Sequence, residues 1–596
     1  NKDAYSLMAV PKEQQVEAAL ATLLKENLRV QRFGFTPTEL KRAKADILNS
    51  YENAWSERDK RENRAFVDEY ISHFLEGEAS PGIEFEYDFV KRHLEDIGVE
   101  DLNALAKSLI ADSNRVVILT APENQKDSLP AKEDLLEILN NSASLEVSPY
   151  EDVVAEEPLF SKELKPAKIV SEKTIEEIGV TKLEFDNGVE VFLKPTDFKN
   201  KEVLFRAYSP GGSSLYSDED FLEASNATSI LSQSGVARFE EKVLRKLLEG
   251  KTVSLSPYIS NLEEGFSGSA NIDDIEILFQ LTYLYFTEPR FDPDALKTWQ
   301  AQQITFLRNK DKSPMSVYND TLRSIMSSYD QRYAPLTEKM VEDIEFGRME
   351  QVYADRFADA SDFAFFLVGS FDLDSIRPLL QAYLGNLPAT GRKENWKNLG
   401  INPPPGVISK KVLKGSEPQS RVTLVFSGPA EYDRMRSAHL NTLGEALQIK
   451  LRESLREEAG GVYGVGVNTS LSKYPEERYS VSVGFGCAPE NVEKLTALVL
   501  AEVEKMRESG PTQTDVDKVI AIKKREHETA LKENGYWIGL LAGSYQMKRD
   551  PAQAEAFFEE SLETATPENL KEVANLYFDD SNYIKVVLYP EEEQQP

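Results

Sequence analysis

The chain has 596 residues, room for about three to five domains at roughly 100–200 residues each. Its net charge of −32 repels phosphate backbones and argues against a nucleic-acid partner, and no apolar run of about 18 residues offers a membrane span. Cys487 stands alone, so neither an intrachain disulfide nor a cysteine-based metal site can form. The acidic surface serves solubility, or alternatively sets up a field that draws in basic peptides.

In chain order, residues 1–30 carry no signal-peptide pattern, because Lys2 and Asp3 are followed by alternating polarity instead of an apolar block. The chain opens in the strand-like run 4–10, as would a fragment whose true N-terminus and export signal lie elsewhere. The periodicity then predicts a helix with Val16, Ala19, Leu20, Leu23, Leu24 and Leu28 on one face. The anchor Gly34-Phe-Thr-Pro-Thr-Glu-Leu40 carries a Thr before an acidic first turn, an N-cap signature. A mostly helical stretch follows, and the apolar run Arg115–Thr120 closes the unit as a strand. Residues 126–176 are acidic and proline-interrupted, and read as a linker.

The pattern returns twice. The run 266–270 leads into a helix lined by Ile275, Leu278, Phe279, Leu281 and Tyr285, then the anchor 290–296 and a closing strand 363–369. The run 479–485 leads into a helix lined by Val492, Leu495, Val499, Val503 and Met506, then the anchor 510–516 and a closing strand 583–589. Both later copies have a front half, 183–192 with the hairpin turn Asn187-Gly188, and 422–426. The sequence thus predicts an α+β chain of serial two-layer sandwiches, antiparallel-rich sheets covered by helices, in about two and a half repeats. Half a domain is expected over 1–125, a linker over 126–176, a whole domain over 177–400 and another over 401–596, with Pro403-Pro404-Pro405-Gly406 near the second boundary.

This serial repeat split by a long linker resembles the insulinase/pitrilysin family of zinc peptidases in its large single-chain bacterial form. The segments that carry the resemblance are Ser234-Gly-Val-Ala with Leu247-Leu-Glu-Gly-Lys251, Tyr283-Leu-Tyr-Phe-Thr-Glu-Pro-Arg290, Gly460-Gly-Val-Tyr-Gly-Val465 and Asn534-Gly-Tyr-Trp537. Family members have four such domains folded as two bowl-like halves around a chamber. The resemblance makes this chain the back of the second domain followed by the third and fourth.

The family's metal centre is an inverted H-x-x-E-H helix, in which two imidazoles one turn apart bind zinc and the Glu serves as general base. The chain has four histidines, His73, His93, His439 and His527, and no two are spaced for that pair. The stretch that should match the motif helix reads Glu223-Ala-Ser-Asn-Ala-Thr228, so the 177–400 domain resembles the family's degenerate, non-catalytic copy. His73-Phe-Leu-Glu76-Gly77 imitates the motif but has Gly where the second ligand would stand, and reads as a surface or helix-end histidine. His439 and His527 are expected on helix surfaces. No metal ligand is assigned to this chain, and the zinc that the resemblance implies belongs to the missing N-terminal part.

The strongest motif is Leu455-Arg456-Glu-Glu-Ala-Gly-Gly-Val-Tyr463. Leu447, Leu451 and Leu455 have helical spacing, which places Arg456 near a helix end; Gly460 and Gly461 suit a left-handed stop, and Tyr463 opens a strand. The bland alternative is a surface Arg paired with Glu453 or Glu457 and a Tyr packed in the sheet. The spacing matches the family's motif, which implies that Arg456 binds a substrate carbonyl and Tyr463 donates a hydrogen bond to the developing oxyanion, both reaching a zinc site on the missing part. Asn534-Gly-Tyr-Trp537 reads as a packing element and Gly211-Gly212 as a turn.

The expected function is therefore the non-metal-binding C-terminal part of a zinc endopeptidase that encloses and cleaves peptides or unfolded polypeptides. Its partners would be the peptide substrate and the N-terminal zinc-bearing half, in a periplasmic or secreted setting. The rival readings are a natural non-catalytic partner subunit and a scaffold in which the Arg/Tyr pair is vestigial.

Overall fold

The computed structural model describes residues 5–11, 15–110, 114–121, 126, 128–153, 157–459 and 464–591, with 456–459 by backbone alone. Two sheets organise them. Strands β1 (Ile169–Ile175), β2 (Val180–Phe185), β3 (Glu190–Pro195), β4 (Glu202–Pro210), β5 (Val253–Ile259), β6 (Glu263–Asn271) and β7 (Ala364–Gly369) form a seven-stranded sheet of order β1-β2-β3-β7-β4-β6-β5. Strands β8 (Ile408–Leu413), β9 (Ser420–Pro429), β10 (Gly464–Ser472), β11 (Arg478–Cys487) and β12 (Tyr583–Tyr589) form a five-stranded sheet of order β10-β11-β9-β12-β8.

The second sheet repeats the run β3-β7-β4-β6-β5 strand for strand as β8-β12-β9-β11-β10. In both, the first pair is parallel and the rest are antiparallel. The internal repeat seen in the sequence is thus a repeat of topology, and the α+β prediction holds. Asn187-Gly188 makes the β2–β3 turn as expected. Gly188 takes φ 87° and donates its N–H to the Phe185 carbonyl at 2.9 Å, while the Asn187 amide donates to the Leu384 carbonyl at 3.0 Å.

Each sheet buries one face under its own helices. Val191, Leu193, Phe205, Phe266, Phe365 and Leu367 meet helices Phe221–Ser234 and Ile275–Thr287 in one core. Val422, Leu424, Phe426, Val481, Val483 and Phe485 meet helices Arg434–Ala459 and Val492–Ser509 in a second.

The opposite faces are covered by exchange. Helix Pro314–Met326, from the first unit, lays Tyr318 and Ile325 on Val412, Ile584, Val586 and Leu588 of the second sheet. Helix Asn534–Gln546, its counterpart in the second unit, lays Leu541 and Ala542 on Phe192, Tyr208, Ala364, Phe366 and Val368 of the first. This explains why β7 reads as an unbroken apolar run, since all six of its residues are buried from both sides. Polar ties lock the exchange: Thr196 Oγ1 donates to Asn534 Oδ1 at 2.6 Å, and Asn534 Nδ2 to Glu202 at 2.9 Å.

Residues 15–110 are helical, in helices Val16–Phe33, Pro37–Ser56, Asn63–Glu76, Ile83–His93 and Val99–Leu109. The Thr36 cap appears with its full capping box to Glu39. The expected strands over 5–10 and 115–120 are a correction: neither is in a sheet. A strand persists only when a neighbour completes its hydrogen-bond ladder, and among the described residues none pairs with these. The same region exposes Phe74 at 85% and Ile118 at 81%, with Tyr70, Leu75 and Leu105 also exposed. The stretch read as a linker holds helix Lys132–Asn141 and, at its end, β1. Asp152, from that stretch, joins the units: it accepts from Arg42 at 2.6 Å and from Lys246 at 2.8 Å.

The exchange is testable at Tyr318, whose buried hydroxyl lies 2.7 Å from Thr423 Oγ1 and 3.2 Å from the Val586 carbonyl. Tyr318→Phe leaves a buried polar partner short and should cost about 1–3 kcal/mol. The readout is a lower urea midpoint at unchanged slope.

Candidate functional site

The repeat locates the site. Helix Arg434–Ala459 connects β9 to β10 as helix Phe221–Ser234 connects β4 to β5. Leu440, Leu443, Leu447, Leu451 and Leu455 form its buried stripe, so the residue before Arg456 is fixed in the core. The helix runs to Ala459. The Arg456 side chain, Gly460, Gly461 and Tyr463 lie outside the described residues. The chain resumes at Gly464, the first residue of β10, an edge strand of the five-stranded sheet.

Gly464 also opens a cavity of about 1050 Å³ on the sheet face turned away from helix Arg434–Ala459. Strands β9, β10 and β11 make its floor, with Arg421, Thr423, Gly464, Gly466, Asn468, Ser482 and Gly484; helix Pro314–Met326 makes a wall with Met315 and Tyr318. The alternation of β11 dictates this: Val481, Val483 and Phe485 enter the core, so Ser482, Gly484 and Gly486 face the cavity. The period-two run of small residues in β10 and β11 is a signal that could have marked this face from sequence alone. Cys487 ends β11 inside the core, where burial pushes its thiol up to about 11, so it is no nucleophile.

The first unit holds the stretch that the resemblance sets against the metal motif. In helix Phe221–Ser234, Glu223 is buried; one carboxylate oxygen accepts from the Glu345 N–H at 3.1 Å and the other has no hydrogen-bond partner among the described residues. No histidine stands near it in the sequence, and each of the four is engaged elsewhere. His73 is exposed in the last turn of helix Asn63–Glu76, its Nδ1 2.5 Å from the Glu78 carbonyl. His93 stacks on Phe89. His439 is buried, contrary to the surface position expected, with Nε2 3.0 Å from Thr564 Oγ1, and burial lowers its pKa. His527 stacks on Phe558 and lies 2.8 Å from Glu555. Among the described residues no group of three or more His, Cys, Asp or Glu is arranged to hold a metal. These residues do not fit a zinc site.

Gly211-Gly212 does more than turn the chain. Gly212 sits at φ 64°, and a Cβ there would lie 2.4 Å from the Ser260 carbonyl. Its N–H donates to Glu264 Oε2 at 2.6 Å, beneath Arg356, whose Nη1 is 3.6 Å from Glu264 Oε1. Burial pushes the Glu264 carboxyl up to about 7, against the pull of Arg356 and the Gly212 N–H.

Residues 346–523 match the family described as Peptidase M16 inactive domain. The chain is 25% identical over 542 residues to a protein described as zinc protease PQQL-like from Arabidopsis thaliana, covering 87% of this chain and 54% of that protein. It is 21% identical over 488 residues to the probable zinc protease PqqL of Haemophilus influenzae, covering 79% and 51%. The crystal structure of the periplasmic protease PqqL from Escherichia coli superposes with a TM-score of 0.66 at 21% identity, over 97% of this chain and 64% of that one, and so shares the fold. The chain carries the M16 inactive domain and is homologous to PqqL-like zinc proteases of the insulinase/pitrilysin family. It spans about half the length of the curated relatives it matches.

The raised Glu264 pKa carries a pH prediction. Between its ordinary value near 4.5 and about 7 the folded chain holds a proton that the unfolded chain has lost. Stability should therefore fall as pH rises through that window. Glu264→Gln should flatten this part of a plot of denaturation midpoint against pH.

Proposed function

We propose that this chain is the part of a zinc endopeptidase that binds substrate but not metal, with residues 1–125 as the back of one family domain, 177–400 as a degenerate domain and 401–596 as the domain bearing the substrate clamp. Zinc, held elsewhere in the complete protein, would polarise the scissile carbonyl and activate water. Arg456 binds a substrate backbone carbonyl near the cleaved bond, and Tyr463 donates a hydrogen bond to the oxygen that gains negative charge.

The observation that supports this reading is the position of the two described ends that flank the motif in sequence, helix Arg434–Ala459 and β10. The motif is bracketed by Leu455, fixed in the core, and by Gly464, on the cavity floor. A clamp carried between those two described ends would serve a peptide lying in the groove, which supports the reading. The apolar side chains left exposed over residues 67–118 support the second half of the proposal. Apolar side chains left exposed together call for cover, and an N-terminal, zinc-bearing half of the same protein would supply it. A separate zinc-bearing subunit would cover it equally well; denaturing electrophoresis of the assembled peptidase separates the two, with one band for a single chain and two for a pair. A periplasmic or secreted location belongs to the same proposal, by analogy with the Escherichia coli relative.

In the assembled peptidase, Tyr463→Phe should lower kcat by about 10²–10³-fold, the usual loss for one oxyanion donor, with KM and zinc content little changed. Unchanged turnover would favour the scaffold reading. The chain as given, purified alone, should hold no stoichiometric zinc and should not hydrolyse a quenched peptide; chelator-sensitive cleavage would refute the assignment.

A further inference from the structure

The groove on β9, β10 and β11 has a chemistry of its own. Glycine weakens a strand unless a turn, a bulge or a close approach requires it. Gly464 and Gly466 in β10 have no positive φ, and a Cβ on either would meet nothing within 4 Å. In β11, a Cβ on Gly484 would make only ordinary contacts, the nearest at 3.8 Å from Thr423 Oγ1. Neither backbone geometry nor packing within the described chain requires glycine at these three positions. What their bare backbone does achieve is a flat floor to the cavity of about 1050 Å³.

The rim of that floor departs from the rest of the protein in charge. The chain carries −32 overall, yet the cavity is lined by three cations, Lys312, Lys414 and Arg421, against one carboxylate, Glu417. Lys414 is shared with Glu591 at 3.5 Å, and Lys312 Nζ donates to the neutral Asn309 Oδ1 at 3.1 Å. Arg421 is exposed on β9 and forms no ion pair among the described residues. The exposed residues Asn319, on helix Pro314–Met326, and Asn468, on β10, line the same groove, and each amide is able to give and accept a hydrogen bond to a peptide group.

The geometry points to a binding site for an extended, acidic peptide segment on the outer face of β9, β10 and β11. The backbone of the bound segment lies against the glycine floor, where any side chain on the protein would hold it off, and its carboxylates meet Arg421 and the two lysines. The peptide-handling reading above supplies the reason for such a groove, and the two roles are separable: the clamp contacts the bond to be cut, and the groove holds a flanking stretch. The preference for carboxylates runs against what the whole-chain charge suggests, because a local cluster at contact distance outweighs a field that salt screens over about 8–10 Å.

The test is fluorescence anisotropy on the 596-residue chain, with a labelled probe as long as β10, nine residues, of alternating Glu with Ala or Ser, and a second probe with Lys in place of Glu. The acidic probe should bind saturably, about tenfold or more tighter than the lysine probe, and should loosen with added salt. Gly466→Tyr, which fills the groove without touching the core, and Arg421→Glu, at an exposed position, should each weaken binding about tenfold or more at unchanged thermal unfolding. Should Gly466→Tyr misfold, Arg421→Glu decides alone. Tyr463→Phe should leave this binding intact. No saturable binding of the acidic probe, equal binding of the lysine probe, or indifference to both groove substitutions would overturn the site; loss of binding on Tyr463→Phe with the groove variants unaffected would overturn it while leaving the clamp standing.

Discussion

The constraint on which the rest depends is that a sheet covered on one face only must find cover for the other. Here two units solve it for each other. Each sends its helix after the long helical pair, Pro314–Met326 in one and Asn534–Gln546 in the other, onto the outer face of its neighbour's sheet. The apolar character of Phe192, Phe366 and Val368, and of Val412, Ile584 and Val586, follows from that exchange. So does the burial of Asn534, whose amide spans Thr196 and Glu202 of the opposite unit. Separating the units would expose both faces together, so neither unit is expected to be stable with its partner removed.

The cover is incomplete by design of the side chains. Helix Pro314–Met326 reaches β12 and β8, while the end of the sheet formed by β10 and β11 presents glycine, serine and asparagine to a cavity instead. Helix Arg434–Ala459 lies on the other face, and β10 begins at Gly464 on the floor of the same cavity. One sheet thus divides its outer face between holding the molecule together and lining a cavity. The first unit uses the corresponding helix, Phe221–Ser234, for packing: Glu223 is turned inward and no histidine accompanies it.

The helices of residues 63–109 show the same constraint unmet. Their exposed Phe74, Leu75 and Leu105, and the run 115–120 that joins neither sheet, have the composition of a covered face without the cover. Local periodicity makes the helices regardless, since their hydrogen bonds close within the segment. Strands close theirs only with a neighbour, which is why the helical half of this region forms as its sequence predicts and the strands do not.

By itself the sequence determined the helices, the hairpin at Asn187-Gly188, the repeat and its α+β class, because each rests on contacts a few residues apart or on a periodicity that the chain carries locally. It also determined that two imidazoles could not be placed one helical turn apart. The tertiary structure decided what periodicity cannot reach: that His439 is buried, that Gly211-Gly212 cradles a carboxylate from β6, that the outer sheet faces are covered by exchange, and that three glycines with no local reason to be glycine share the floor of one groove. Those facts depend on which distant segments meet, and a chain reveals its neighbours along itself far more readily than its neighbours in space.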